Sequence, residues 1–208
     1  MLPGRRIVWS VVLFTIIFGL LSVRWPGLQE AYSKAFQRVG TRVFGRFGEK
    51  GIVKFLPAQR VSRISDTEIT TKVEGSPYVG VGEISPRLMG YLPMAELLAL
   101  VLVSTVAWRR RLVAILGGML LLHATLYLRL WILIRIYFSA DETPWQQYHP
   151  SPTTLNFLNR TNEIINTAPT AGFVIPVLIW LAVTFRYSDW ERALGRRFDS
   201  TGNPVNRL

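Results

Sequence analysis

Residues 86–137 constrain this chain more than any other stretch: an apolar run, the cluster Trp108-Arg109-Arg110-Arg111, then a second apolar run carrying His123, Arg129 and Arg135. The pattern reads as a transmembrane hairpin. Residues 92–107 are nearly continuous apolar sequence interrupted by Glu96, and 112–138 are long enough to cross a hydrocarbon core of about 30 Å. Lysine and arginine are retained on the cytoplasmic side of short loops, so the three arginines place the turn inside and Arg87 and Tyr137 outside. Any chemistry then belongs at the outer ends.

With 208 residues, 50% hydrophobic and 18% charged, the composition fits one membrane domain and not a soluble one. The net charge of +11 is strung along membrane boundaries, which favours anionic lipid headgroups over nucleic acid as the partner. There is no cysteine, so disulfides, thiolate metal sites and thiol nucleophiles are excluded. Nothing in the sequence calls for a cofactor.

Arg5 and Arg6 precede the apolar run 7–23, which ends at Arg24-Trp25-Pro26; with no small-residue cleavage site, it reads as an uncleaved first span with its N-terminus inside. From Leu28 the period changes. Leu28, Ala31, Tyr32, Ala35, Phe36, Val39, Val43 and Phe47 share one helical face, and Gln29, Lys34, Gln37, Arg38, Thr41, Arg42 and Arg46 the other. This predicts an amphipathic helix lying along the outer membrane surface or in a groove between spans, ended by Gly45, Gly48 and Gly51. Residues 60–65, 68–73 and 78–81 have strand chemistry and are separated by turn residues, which predicts two or three short antiparallel strands over the outer ends of the spans.

The expected fold is therefore mainly α and polytopic: four transmembrane helices at about 7–23, 89–107, 112–137 and 171–185, with an extracytoplasmic amphipathic helix and a two- or three-stranded β unit. Residues 1–186 form one membrane domain, 24–88 and 138–170 lie outside, 187–208 form a cytoplasmic tail, and both termini are cytoplasmic. The outer loop 138–170 carries Asp141, Glu142, Trp145, His149 and the asparagines 156, 159, 162 and 166; loops of such length are usually functional or partner-binding.

Ionisable groups inside a span need a partner or a wet cavity. Arg129 stands about 25 Å above the arginine turn at the helical rise, at a depth comparable to Glu96, so the two are expected to pair, either to orient two helices or to form a site. His123 reads as a hydrogen-bonded packing residue, and Arg135 is near enough to the surface to snorkel. His149 beside Asp141 and Glu142 lacks the spacing of a metal site, so no metal is expected.

The order of these features resembles the exosortase/archaeosortase family of membrane transpeptidases: an outer amphipathic helix, a strand pair, a span, the Trp-Arg-Arg-Arg turn, then a span containing Tyr127-Leu128-Arg129-Leu130. In that family a Cys-Ser-Gly or Cys-Asn-Gly motif opens the span before the basic turn, an arginine lies late in the next span, and a histidine follows across the outer loop. The resemblance places the arginine on Arg129 and the motif on Leu88-Met89-Gly90, with Leu88 where the cysteine would stand. Distance from Arg129 places the histidine on His149, whereas distance to the last span places it on Asn159 or Asn162. Leucine has no lone pair for a carbonyl, so the family's covalent mechanism is excluded at that position.

The resemblance and the missing cysteine together imply a non-catalytic, exosortase-like protein of a bacterial inner membrane, binding a partner membrane protein or transmembrane tail at its outer face, with Glu96, Arg129, Trp145 and His149 as contacts. Two alternatives stand beside it: an accessory subunit of a larger membrane complex without sorting ancestry, and an active protease or transpeptidase using Ser85 and His149.

Overall fold

In the computed structural model, which describes residues 3–25, 27–58, 65–139, 150–167 and 169–185, apolar helices gather at one end of the molecule and a small α/β cap forms the other. Helix α1 (Pro3–Ser22) leads to α2 (Leu28–Phe44), then to strands β1 (Arg46–Phe47), β2 (Gly51–Pro57), β3 (Thr67–Val73) and β4 (Val79–Ile84). A π-helical turn, Arg87–Tyr91, opens α3 (Leu92–Val103); α4 (Trp108–Tyr137), α5 (Pro152–Asn162), a second π turn at Glu163–Thr167 and α6 (Pro169–Thr184) follow.

The four expected spans are not found. Among the described residues one helix, α4, is long and apolar enough to cross a membrane, while Val8–Ser22 and Gly172–Thr184 are shorter apolar stretches. The expected span 89–107 is cut short at its far end. Helical backbone continues from the π turn into α3 through Tyr91 and Leu92 but stops at Ser104, whose backbone is extended at ψ 138°. Residues 89–103 rise about 22 Å, short of the hydrocarbon core. The arginine cluster is not a turn either, for Trp108, Arg109, Arg110 and Arg111 form the first turn of α4.

These arginines close other helices. An Arg110 guanidinium N–H donates to the Thr184 carbonyl at the end of α6 (2.8 Å), and Arg111 donates to the Ser104 carbonyl at the end of α3 (2.7 Å). At the opposite end of the molecule Arg87 donates to Ser22 O (2.9 Å) and Tyr91 Oη to Leu21 O (2.8 Å), closing α1. Each of the three shorter apolar helices thus ends on an arginine from elsewhere in the chain, which satisfies orphan carbonyls and complements the negative end of the helix dipole.

The strand unit has four strands, not two or three, in the order β1-β2-β3-β4, all antiparallel. Strand β2 pairs with β3 over its whole length, with Phe55 opposite Ile69, and Ile69 in turn faces Gly82 of β4. The near-continuous apolar run Ile52, Val53, Phe55, Leu56 masks the alternation that buries Val53 and Phe55 and leaves Lys54 and Leu56 exposed. Of the expected strand 60–65, residues 60–64 lie outside the described residues. Within the expected outer loop, Ser151 accepts the Thr154 N–H and starts α5, so that segment is partly helical.

Helix α2 ends at Phe44 and lies on the sheet, but with a face rotated from the expected one. It buries Ser33, Phe36, Gly40 and Phe44, while Leu28, Val39 and Val43 remain exposed. Gly40 allows the approach, since a Cβ there would sit 3.0 Å from the Phe55 ring. The Thr41 hydroxyl accepts the Phe55 N–H (3.0 Å) and closes the open edge of β2.

Two cores result. Phe36 and Phe44 of α2, Val53, Phe55, Ile69 and Ile84 of the sheet, and Leu126, Leu130, Ile134 and Phe138 form the cap core. Leu97, Val101, Ala114, Leu122 and Ile179 join α3, α4 and α6 below it. Helix α4 therefore belongs to both, and its last third packs against protein. Its first half bears large exposed apolar side chains, Leu116 being 71% exposed, as do Trp9, Ile16 and Leu20 of α1 and Phe173, Val174 and Leu178 of α6. So wide an apolar surface is abnormal for a water-facing protein.

Candidate functional site

The two cores meet at the π turn, where the chain leaves the sheet. Ser85 Oγ accepts the Leu88 N–H (3.3 Å) and Ser85 O accepts the Met89 N–H (2.9 Å), so the serine caps the turn. Its residues then point in different directions. Arg87 reaches back to α1, Leu88 faces outward at 48% exposure, Met89 turns inward, and Gly90 is buried where a Cβ would collide with the Tyr32 hydroxyl and lie 3.2 Å from Leu126. Tyr91 is buried with its ring edge-on to Tyr32, 5.8 Å between centroids. Burial, and secondarily the nearby Tyr127, push the Tyr32 phenol up to about 12.

Arg129 comes from α4 into this junction and is 8% exposed. With Met89, Pro93, Leu122, Thr125 and Pro176 it lines a cavity of about 10 Å³, room for roughly one water. Gly172 of α6 lies on the same wall, and Pro176 removes the N–H that would otherwise pair with its carbonyl. Among these lining residues the one hydroxyl, that of Thr125, donates to Leu121 O (2.9 Å). The wall can hold a polar atom against a guanidinium, and its one hydroxyl is engaged with a backbone carbonyl.

The residues singled out in the sequence are only partly brought together. Met89 and Gly90 of the carried-over tripeptide pack against α4 beside Arg129, whereas Leu88 does not line the cavity. Glu96 is buried in α3 with Oε2 lacking a hydrogen-bond partner, and no ion pair joins it to Arg129; the ion pair seen among the described residues is Lys34–Glu30. Arg135 lies over the Trp131 ring at 4.9 Å, and His123 Nδ1 sits 2.8 Å from Met119 O within its own helix. Asn159 is exposed on α5 and Asn162 half-buried at its end. Trp145 and His149, with Asp141 and Glu142, lie outside the described residues. Among the described residues no group of three potential metal-ligating side chains comes together.

Tyr91 was not singled out by sequence reasoning, Tyr32 was named only as part of an amphipathic face, and Gly90 only through the family resemblance. Their signal was faint: a tyrosine on an amphipathic face, and one glycine just ahead of an apolar run. No family model, curated protein or solved structure matches this chain.

Proposed function

We propose that this is a non-catalytic, membrane-embedded protein of a bacterial inner membrane, built on an exosortase-like plan, that receives a partner's transmembrane segment at its cap end. In this reading α4 crosses the bilayer with Arg109, Arg110 and Arg111 on the cytoplasmic side and the cap outside, and the shorter apolar helices pack beside it. The observation that carries the non-catalytic part is the wall around Arg129: space for one water, a single hydroxyl tied to a backbone carbonyl, and an exposed leucine where the family's cysteine would stand. Ser85, the alternative nucleophile, already accepts the Leu88 N–H as a cap.

A docking ledge suits the second part. Phe157 and Ile164 are 68% and 70% exposed on and just after α5, close in sequence to the exposed Phe173 and Val174 of α6. Apolar side chains at a membrane boundary are what a passing helix packs against. A photo-crosslinking residue at position 157 is expected to give a discrete protein adduct in native membranes, with none at position 116 on the lipid-type face of α4. Lipid adducts alone at both positions would refute docking. Cleavage of a co-expressed membrane-anchored substrate is expected at background for both wild type and Ser85→Ala.

A further inference from the structure

Helix α2 has a second surface that the fold leaves unused. On the side away from the sheet, Lys34, Arg38 and Arg42 recur every fourth residue and lead to Arg46 of β1, and all four are exposed. Beside them Leu28, Ala31, Ala35, Val39 and Val43 are exposed too. Successive residues turn by about 100°, so the cationic row and the apolar row lie side by side instead of on opposite faces. Lys34 leans on Glu30 at 3.4 Å, and among the described residues no carboxylate holds Arg38, Arg42 or Arg46.

The packing of α2 fixes its attitude. Near its start the Tyr32 hydroxyl sits over Gly90 beside Leu126, and at its end the Phe44 ring lies 6.3 Å from that of Tyr127. About 18 Å of helix separates positions 32 and 44, yet both reach neighbouring residues of α4. The two helices therefore cross. The level of the crossing coincides with a change in α4: large exposed apolar side chains run from Leu112 to Leu128, and from Leu126 onward the opposite side of the helix feeds the cap core. Just past the end of α1, Trp25 is exposed with its indole N–H donating to Leu20 O at 2.9 Å, as an interfacial tryptophan would be.

We infer that α2 lies in the plane of the membrane surface and binds anionic phospholipid, with phosphates seated on Lys34, Arg38, Arg42 and Arg46 and acyl chains against Leu28, Ala35, Val39 and Val43. An amphipathic ligand matches adjacent cationic and apolar rows, whereas an acidic polypeptide would leave the apolar row in water. The inference rests on the membrane reading above and is independent of any docked partner.

The test uses the full chain in a neutral detergent micelle, with its melting temperature followed against added dioleoylphosphatidylglycerol or dioleoylphosphatidylcholine. The expected result is a rise with the anionic lipid and none with the zwitterionic one, suppressed at about 0.5 M NaCl. The triple variant Arg38→Gln, Arg42→Gln, Arg46→Gln should need about 100-fold more anionic lipid for the same rise, at roughly fivefold per charge, and the corresponding triple Lys variant should retain the response. Equal responses to both lipids, an unaltered response in the Gln variant, no salt effect on the wild type, or the same rise with poly-glutamate would each overturn the inference. Carbonate extraction of native membranes judges the membrane reading separately: wild-type protein released into the supernatant would refute that reading, whatever the lipid result.

Discussion

Gly90 occupies the point where the turn after β4, helix α2 and helix α4 converge, and its lack of a side chain is what lets the Tyr32 hydroxyl rest there. Gly90→Ala is expected to cost about 1–3 kcal/mol of stability through overpacking, and Tyr32→Phe, which removes the colliding oxygen, should recover part of that loss in the double variant. Melting temperatures of the four proteins in detergent check this; strictly additive losses would mean that the two residues do not share the space. The same tyrosine sets an alkaline limit. Its phenol is held near 12 in the folded chain against an ordinary value of 10.0, so below pH 10 both states are protonated and nothing is lost. Between about pH 10 and 12 the unfolded chain gives up its proton first, and stability falls by about 2 kcal/mol as pH rises. Tyr32→Phe should lack that share of the decline in equilibrium unfolding at pH 9, 10 and 11. Arg129 was legible from sequence because a charge in an apolar run advertises itself. Thr41 was not, and Gly90 was reached only through the family resemblance, since each matters through a neighbour far away in the chain.

At the level of elements, the misread hairpin shows what hydropathy omits. Counting apolar residues joins 89–107 into one span, but the extended Ser104 ends the helix inside it, and that break has no composition signal as strong as a Pro-Gly pair. The Trp-Arg-Arg-Arg cluster, expected as the turn of the hairpin, instead starts α4 and closes α3 and α6. Arg110→Gln is expected to weaken the last turn of α6 by about 1 kcal/mol. Hydrogen exchange at the amides preceding Thr184 should accelerate by several-fold while those of the sheet stay unchanged; uniform acceleration would instead indicate global loss of stability. The amphipathic character of α2 was plain in the sequence, but the choice of which apolar stripe to bury was not. The sheet selects Phe36, Gly40 and Phe44 because a small residue flanked by aromatics fits the Phe55 ring, a decision made by tertiary packing.

For the molecule as a whole, the absence of cysteine makes orientation simple to measure. Single cysteines at the exposed positions Glu49 in the cap and Thr105 beside the arginine end should behave oppositely toward a membrane-impermeant maleimide on intact cells: Glu49→Cys labelled, Thr105→Cys labelled only after lysis. The reverse pattern would turn the proposed topology over. Helix α4 supplies Leu122 to the lower core and Leu126, Leu130, Ile134 and Phe138 to the upper one. The cap consequently has no independent existence: a fragment comprising residues 28–85 alone would leave Phe36, Val53 and Ile69 with a bare flank and should aggregate instead of melting cooperatively. Appending 122–139 through a flexible tether ought to rescue it, so the cap is expected to be transplantable only together with the stretch of α4 that completes its core.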